Sequence, residues 1–440
     1  MKYLQYTLGA LLITVLSSCG EDRSGEFYAL IEDRQWIEET MRANYLWAED
    51  MPVIEDEDDY FKEPQTFFKS LLSKNAMNGK GDKYSYMEED PKATEQESRS
   101  QMLDRTSTYG MEFELTNDPT GTTNHIHAHV LFVLDGSPAQ QAGITRGDWL
   151  SSVNGQRITT SNYQLLKNGG SIKVARTRIH TTDIGYAWQP ADTLSVPASI
   201  TMEINPFHID TLYQVEGQRI AYLMYNEFST GPQNKGTEDT YNEQMKTIFA
   251  RFKAQQPDAL ILDLRYNNGG YLQCAQALGS LIAPASALGK NFVNLQFNAN
   301  AHPQSQAYPL LESYAEANLN LNKVYILTTS HTASASEALI NGLIPYMGKE
   351  NVVLIGERTE GKNVAMTAFR NDTHGITLWP VVAYVSNAEN FGDYGDGFEP
   401  THELIERNIA DWYPLGDTQE YLLNNAIKLI TTDVLPTERQ

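Results

Sequence analysis

From about residue 206 onward, short apolar runs bounded by turn residues alternate with amphipathic stretches. Residues 219–225, 259–264 and 324–327 are rich in β-formers and short enough to be buried strands. Between the first two, 240–252 carries apolar residues at helical spacing, and after the third Leu339, Ile340, Leu343 and Ile344 recur three and four apart from Ser336 onward. Residues 352–355 and 376–385 read as further strands and 418–429 as a last helix. Strands alternating with helices predict an α/β sheet with helices on its faces over 206–433, followed by a polar tail at 434–440.

The upstream pattern differs. Within 27–87, Trp36, Ile37, Thr40, Met41, Tyr45, Leu46 and Trp47 fall at helical intervals until Met51-Pro52 ends the segment. A second helix over 61–72 carries Phe67, Phe68, Leu71 and Leu72, with a solvated acidic loop at 55–59 between the two. With a polar tether at 20–26 and a charged linker at 88–100, this makes a helical N-terminal domain over 20–100. Residues 101–205 then turn β-rich, with apolar runs at 129–134 and 171–174 separated by Gly and Asn turns. The chain as a whole reads as a multidomain α+β protein.

Charge narrows the partners. A net charge of −23 leaves no basic track for phosphates and argues against nucleic acid. His125, His127 and His129 alternate along one strand, as metal ligands can, but no Cys or carboxylate stands ready to complete a site. They read instead as exposed strand histidines, and neither metal nor cofactor is expected. The first 19 residues stand apart from the fold. Lys2 precedes an apolar run, 8–16, too short to span a bilayer, which ends in Leu-Ser-Ser-Cys-Gly. This resembles a bacterial lipobox, which implies lipidation of Cys19 and a membrane-anchored lipoprotein of the cell envelope. Cys274 is the only other thiol, so no internal disulfide can form in the mature chain, and its apolar helical surroundings make it a core residue.

The chemistry centres on Lys323 to Glu337, KVYILTTSHTASASE. A strand, a turn of small and hydroxyl residues and a helix start put one side chain at the tip of a sheet, among the N–H groups of the helix N-terminus. A nucleophile with an oxyanion site needs this arrangement, and Ser334 is the candidate; a serine before a helix can equally be only a cap. The segment Thr332-Ala333-Ser334-Ala335-Ser336-Glu337 resembles the nucleophile signature of the C-terminal processing (tail-specific) serine peptidases. That resemblance implies a crotonase/ClpP-like core in which Ser334 attacks the peptide. It makes Lys362, in Gly356-Glu357-Arg358-Thr359-Glu360-Gly361-Lys362, the general base, which must be neutral to act. It places the oxyanion donors at the Gly269-Gly270 pair of Asp263-Leu264-Arg265-Tyr266-Asn267-Asn268-Gly269-Gly270 and at the Ala335 N–H. Asp263 and Arg265 read as a structural ion pair.

Two departures stand out: the family's glutamine four residues after the lysine is Met366 here, with polar Asn363 on the opposite strand face, and the Ser334–Lys362 spacing is lengthened around 345–351. His331, His374 and His402 are the histidines that could replace the lysine. Further upstream, Asp135-Gly136-Ser137-Pro138 through Gly143-Ile144, Gly147-Asp148 and Val153-Asn154-Gly155 is similar to PDZ domains. This implies a groove that takes a peptide C-terminus by strand addition, with its carboxylate at Tyr109-Gly110-Met111. Together the resemblances imply a lipid-anchored serine endopeptidase that cleaves protein or peptide substrates recruited through their C-termini. The alternative is a non-catalytic peptide- or ligand-binding lipoprotein on the same scaffold.

Overall fold

The computed structural model describes residues 24–89, 107–183, 185–189, 192–233, 236–298, 305–406 and 412–434; Cys19 lies outside them. The described residues fold as two compact units, one from residues 24–89, 298 and 366–382 and the other from the rest.

In the first unit, helices α1 (Ser24–Asn44) and α2 (Pro64–Leu71) bury Ile37, Met41, Phe67, Phe68 and Leu71. Helix α1 begins inside the stretch read as a tether, since an established helix extends through polar residues without needing to bury them. Helix α2 starts only at Pro64, because proline fits the first helical turn and not the interior. The unit is not purely helical. Strand β1 (Tyr86–Glu89) pairs antiparallel with Ile376–Trp379, which also pairs with Phe369–Asn371. The apolar run 376–385 is therefore two strands. Pro380, which has no N–H to give a ladder, separates Ile376–Trp379 from Val381–Asn387, and the latter pairs with Asn291–Phe297 in another sheet.

In the second unit, the PDZ-like module is a sheet in the order β2 (Met111–Asn117), β3 (Ile126–Val133), β4 (Trp149–Val153), β6 (Ile172–Thr177), β7 (Asp192–Val196), with β5 (Gln156–Arg157) returning along β4. The short helix α3 (Pro138–Gln141) has Pro138 in its first turn and Ser137 as its cap. Asn154 and Gly155 both take positive φ, 50° and 78°, as a tight right-twisting hairpin requires. His127 and His129 are not the exposed strand histidines that the alternation suggests. His125 precedes β3, and His127 and His129 are buried, stacked on Trp188 (4.8 Å) and Trp149 (4.1 Å).

The larger part of this unit is a six-stranded sheet in the order β8 (Phe207–Val215), β9 (Gln218–Tyr225), β10 (Ala259–Asp263), β11 (Val324–Thr328), β12 (Val352–Gly356), β13 (His402–Glu403). Strands β8 and β9 form an antiparallel hairpin, and the remaining pairings are parallel. Strands β10 and β12 are buried along their whole length, as expected of strands covered on both faces. Helix α4 (Thr240–Ala254) packs on α5 (Leu272–Ile282), and α5 packs on α6 (Ala335–Met347). Helix α7 (Tyr421–Thr432) contributes Leu422, Leu423, Ala426 and Ile427 to the core that includes Ile220, Tyr222, Ile261, Leu327, Val353 and Ile355. Cys274 is a buried, free thiol in α5.

Candidate active site

The parallel register sets the site. Asp263 of β10 lies opposite Leu327 of β11, and Thr328 opposite Gly356 of β12, so the three strands end at one level. The loops that leave those ends carry the Gly269-Gly270 pair, Ser334 and Lys362. The carboxyl edge of parallel strands is where α/β sheets place their ligands.

Ser334 caps α6 with φ 57° and ψ −113°, a conformation that L-residues avoid and that persists only where the surroundings enforce it. Much of that enforcement comes from the glycine loop. A Cβ on Gly269, whose φ is 106°, would stand 2.7 Å from Ser334 Cβ and 3.0 Å from the Ala335 nitrogen. Only a residue without a side chain lets the two loops touch. Asn267 fastens them together: its carbonyl accepts from Ala333 N–H (3.1 Å) and Ser336 Oγ (3.0 Å). Its Oδ1 accepts the Gly269 N–H at 2.8 Å. The Gly270 N–H has no acceptor among the described residues. Ala335 opens the helix, so its N–H is one of those the helix cannot satisfy.

Lys362 is brought to Ser334 through a side chain to which the sequence reading assigned no role. Glu337, fully buried in the first turn of α6, accepts from Ser334 N–H (2.9 Å) and Lys362 N–H (2.8 Å) on one oxygen. Its other oxygen accepts from Gly361 N–H (2.7 Å) and Thr359 Oγ1 (2.6 Å). Two donors on one oxygen hold the Ser334 and Lys362 main-chain nitrogens within about 6 Å of each other. Burial pushes the Glu337 carboxyl up from its usual range, and the hydrogen bonds from Thr359, Gly361, Lys362 and Ser334 pull against it. The signal was present in the Ser-x-x-Glu spacing, which is that of a capping box. Glu337 thus links Ser334 and Lys362 through their main chains.

The lysine loop has a second anchor. Thr359 N–H donates to Phe398 O (3.2 Å), Phe398 N–H donates to Thr359 Oγ1 (2.7 Å) and Asn363 Nδ2 donates to Gly392 O (2.7 Å). Asn363 is thereby turned to the 391–398 loop.

His331 faces the PDZ-like module, with Nε2 3.6 Å from Glu114 of β2. Glu114 raises the His331 pKa. His374 lies 3.8 Å from Glu32 in the first unit, and His402 opens β13. Asp263 and Arg265 form the expected ion pair, fully buried, at 2.8 Å. In the loop read as a carboxylate site, Tyr109 N–H donates to Lys167 O (3.2 Å) and Gly110 N–H to Thr108 Oγ1 (2.9 Å), while Met111 starts β2, an edge strand of its sheet.

A family model described as Peptidase family S41 matches residues 219–404, one for the Peptidase S41 N-terminal domain matches 32–86, and one for a PDZ domain matches 129–173. The chain is similar to a solved S41 protease from Bacteroides fragilis NCTC 9343, 33% identical, with a TM-score of 0.75 over 91% of this chain and 97% of that one. A carboxyl-terminal-processing protease of Picosynechococcus sp. (strain ATCC 27264 / PCC 7002 / PR-6) is 27% identical over 308 residues, 69% of this chain and 67% of that protein. The photosystem II D1 C-terminal processing protease shares the fold, with 16% identity and a TM-score of 0.51 over 85% of this chain and 92% of that one.

Proposed function

Because the chain belongs to peptidase family S41 and is a serine-type peptidase of the carboxyl-terminal-processing kind, we propose that it cleaves with a Ser334–Lys362 dyad. The observation that carries this reading is the Glu337 carboxylate, which binds the main-chain N–H groups of both residues. In the proposed reaction the Ser334 hydroxyl attacks the peptide carbonyl while neutral Lys362 takes its proton. The developing oxyanion is received by the N–H groups of Ala335 and Gly270, since that of Gly269 is committed to Asn267. The lysine returns its proton to the departing amine, and a water deprotonated by Lys362 then opens the acyl-enzyme.

We also propose that the PDZ-like module recruits substrate C-termini along the edge of β2, and that Cys19 carries a lipid anchor at the cell envelope. The test of the dyad is cleavage of an unstructured protein with an apolar C-terminus by wild type, Ser334→Ala and Lys362→Ala, with folding checked by circular dichroism. Activity should vanish in both variants; activity that survives Lys362→Ala sinks the dyad. The anchor is tested by metabolic labelling with a radioactive fatty acid. Label should enter the full-length chain and be absent from Cys19→Ala, and equal labelling of both rejects it.

A further inference from the structure

Five charged side chains meet below the glycine loop. Arg265, with no exposure, pairs with Asp263 (2.8 Å), Glu406 (2.6 Å) and Glu420 (2.8 Å). The fifth member, Arg146, comes from the PDZ-like module, on the Thr145–Gly147 turn before β4. Its guanidinium donates to Leu131 O (2.7 Å), Tyr266 OH (2.6 Å), Tyr413 O (3.2 Å) and Glu406, and lies 4.4 Å over the Trp412 ring. The neighbouring Gly147 lets the turn approach that ring, because a Cβ there would stand 2.5 Å from Trp412 Cβ. Tyr266 in turn donates to Glu406 (2.7 Å).

Tyr266 is the residue before Asn267, which holds the Gly269 N–H and the Ser334 turn. Thr332 Oγ1 donates to Leu264 O (2.9 Å), and Thr329 Oγ1 donates to Arg265 O. One short segment, 263–270, is thus bonded on one side to the nucleophile turn and on the other to an arginine of the module. We propose that Arg146 is a positioning residue for peptide cleavage: it fixes the oxyanion loop through Tyr266, so that its guanidinium acts on turnover rather than on substrate affinity. This rests on the serine-peptidase reading above.

A lysine at 146 keeps the buried positive charge but has no planar fork with which to bond Leu131, Tyr266 and Glu406 together. Arg146→Lys and Arg146→Met are compared with wild type by steady-state cleavage of the unstructured protein, thermal unfolding, and hydrogen exchange of segment 263–270 in the full chain. Arg146→Lys should keep its thermal midpoint within a few degrees of wild type. Its kcat should fall about tenfold or more, as small misplacements at a reacting centre do, with KM changed less than about twofold. Exchange in 263–270 should quicken in the same variant. Arg146→Met should lose kcat and stability together. The proposal is overturned if Arg146→Lys restores kcat along with stability, since Arg146 is then only a neutralising charge. It is overturned equally if KM rises at constant kcat, or if exchange in 263–270 matches wild type. Failure of the peptidase reading looks different: wild type is then as inactive as Ser334→Ala, and the exchange result still decides the role of Arg146.

Discussion

Glu337 shows how much one side chain organises. It takes four hydrogen bonds from the two loops that carry the proposed nucleophile and base, so it acts on the chemistry by placing other residues. Glutamine at this position would aim an amide donor at groups that are themselves donors. Glu337→Gln should lower kcat at least about tenfold and stability by about 1–3 kcal/mol, the cost of a buried donor left unpaired. Kinetics on the test protein and urea unfolding measure the two, and wild-type turnover in this variant contradicts the positioning role. The residue stood in plain view inside the Thr-Ala-Ser-Ala-Ser-Glu motif, but three of its four partners lie 22 to 25 residues on, beyond the reach of local spacing. Arg146 was hidden further, since Tyr266 lies 120 positions away and Glu406 260.

At the level of elements, the strands at 219–225, 259–264 and 324–327 could be read because strands of a sheet covered on both faces are largely buried and so run nearly continuously apolar. Pro138 and Asn154-Gly155 likewise declared their turns through backbone chemistry alone. The failures share a cause. The run 376–385 carries one hydrophobicity across two strands with different partners, and only Pro380 marks the break. His127 and His129 have the alternation of an exposed strand, but Trp149 and Trp188 cover them, the second from a separate hairpin. Periodicity tells which face a residue is on and not what the rest of the chain brings to that face.

Across the second unit, the arginine–carboxylate cluster ties together segments far apart in sequence and makes their union sensitive to acid. Burial alone would raise the Glu406 carboxyl, but Arg146 and Arg265 overcome it and hold Glu406 at about 2. Its folded value lies below its unfolded one, so the cluster's contribution is whole above the ordinary carboxylate range and is lost as pH falls toward 2. In urea unfolding repeated from pH 7 downward, Glu406→Gln should be clearly less stable than wild type at neutrality. The gap should close as the solution becomes acidic; a gap that stays constant with pH refutes this coupling.

The pairing of β1 with Ile376–Trp379 has a consequence for the order of events during synthesis. Ser85, beside that strand, takes a hydrogen bond from Val381, 296 residues later. The amino-terminal unit therefore leaves the ribosome without part of its own sheet and must wait for nearly all of the remaining chain, PDZ-like module and nucleophile helix included, before it can close. Domains that emerge first usually fold first. Here the first to emerge is among the last to finish, and no single cut between it and the rest yields two complete pieces.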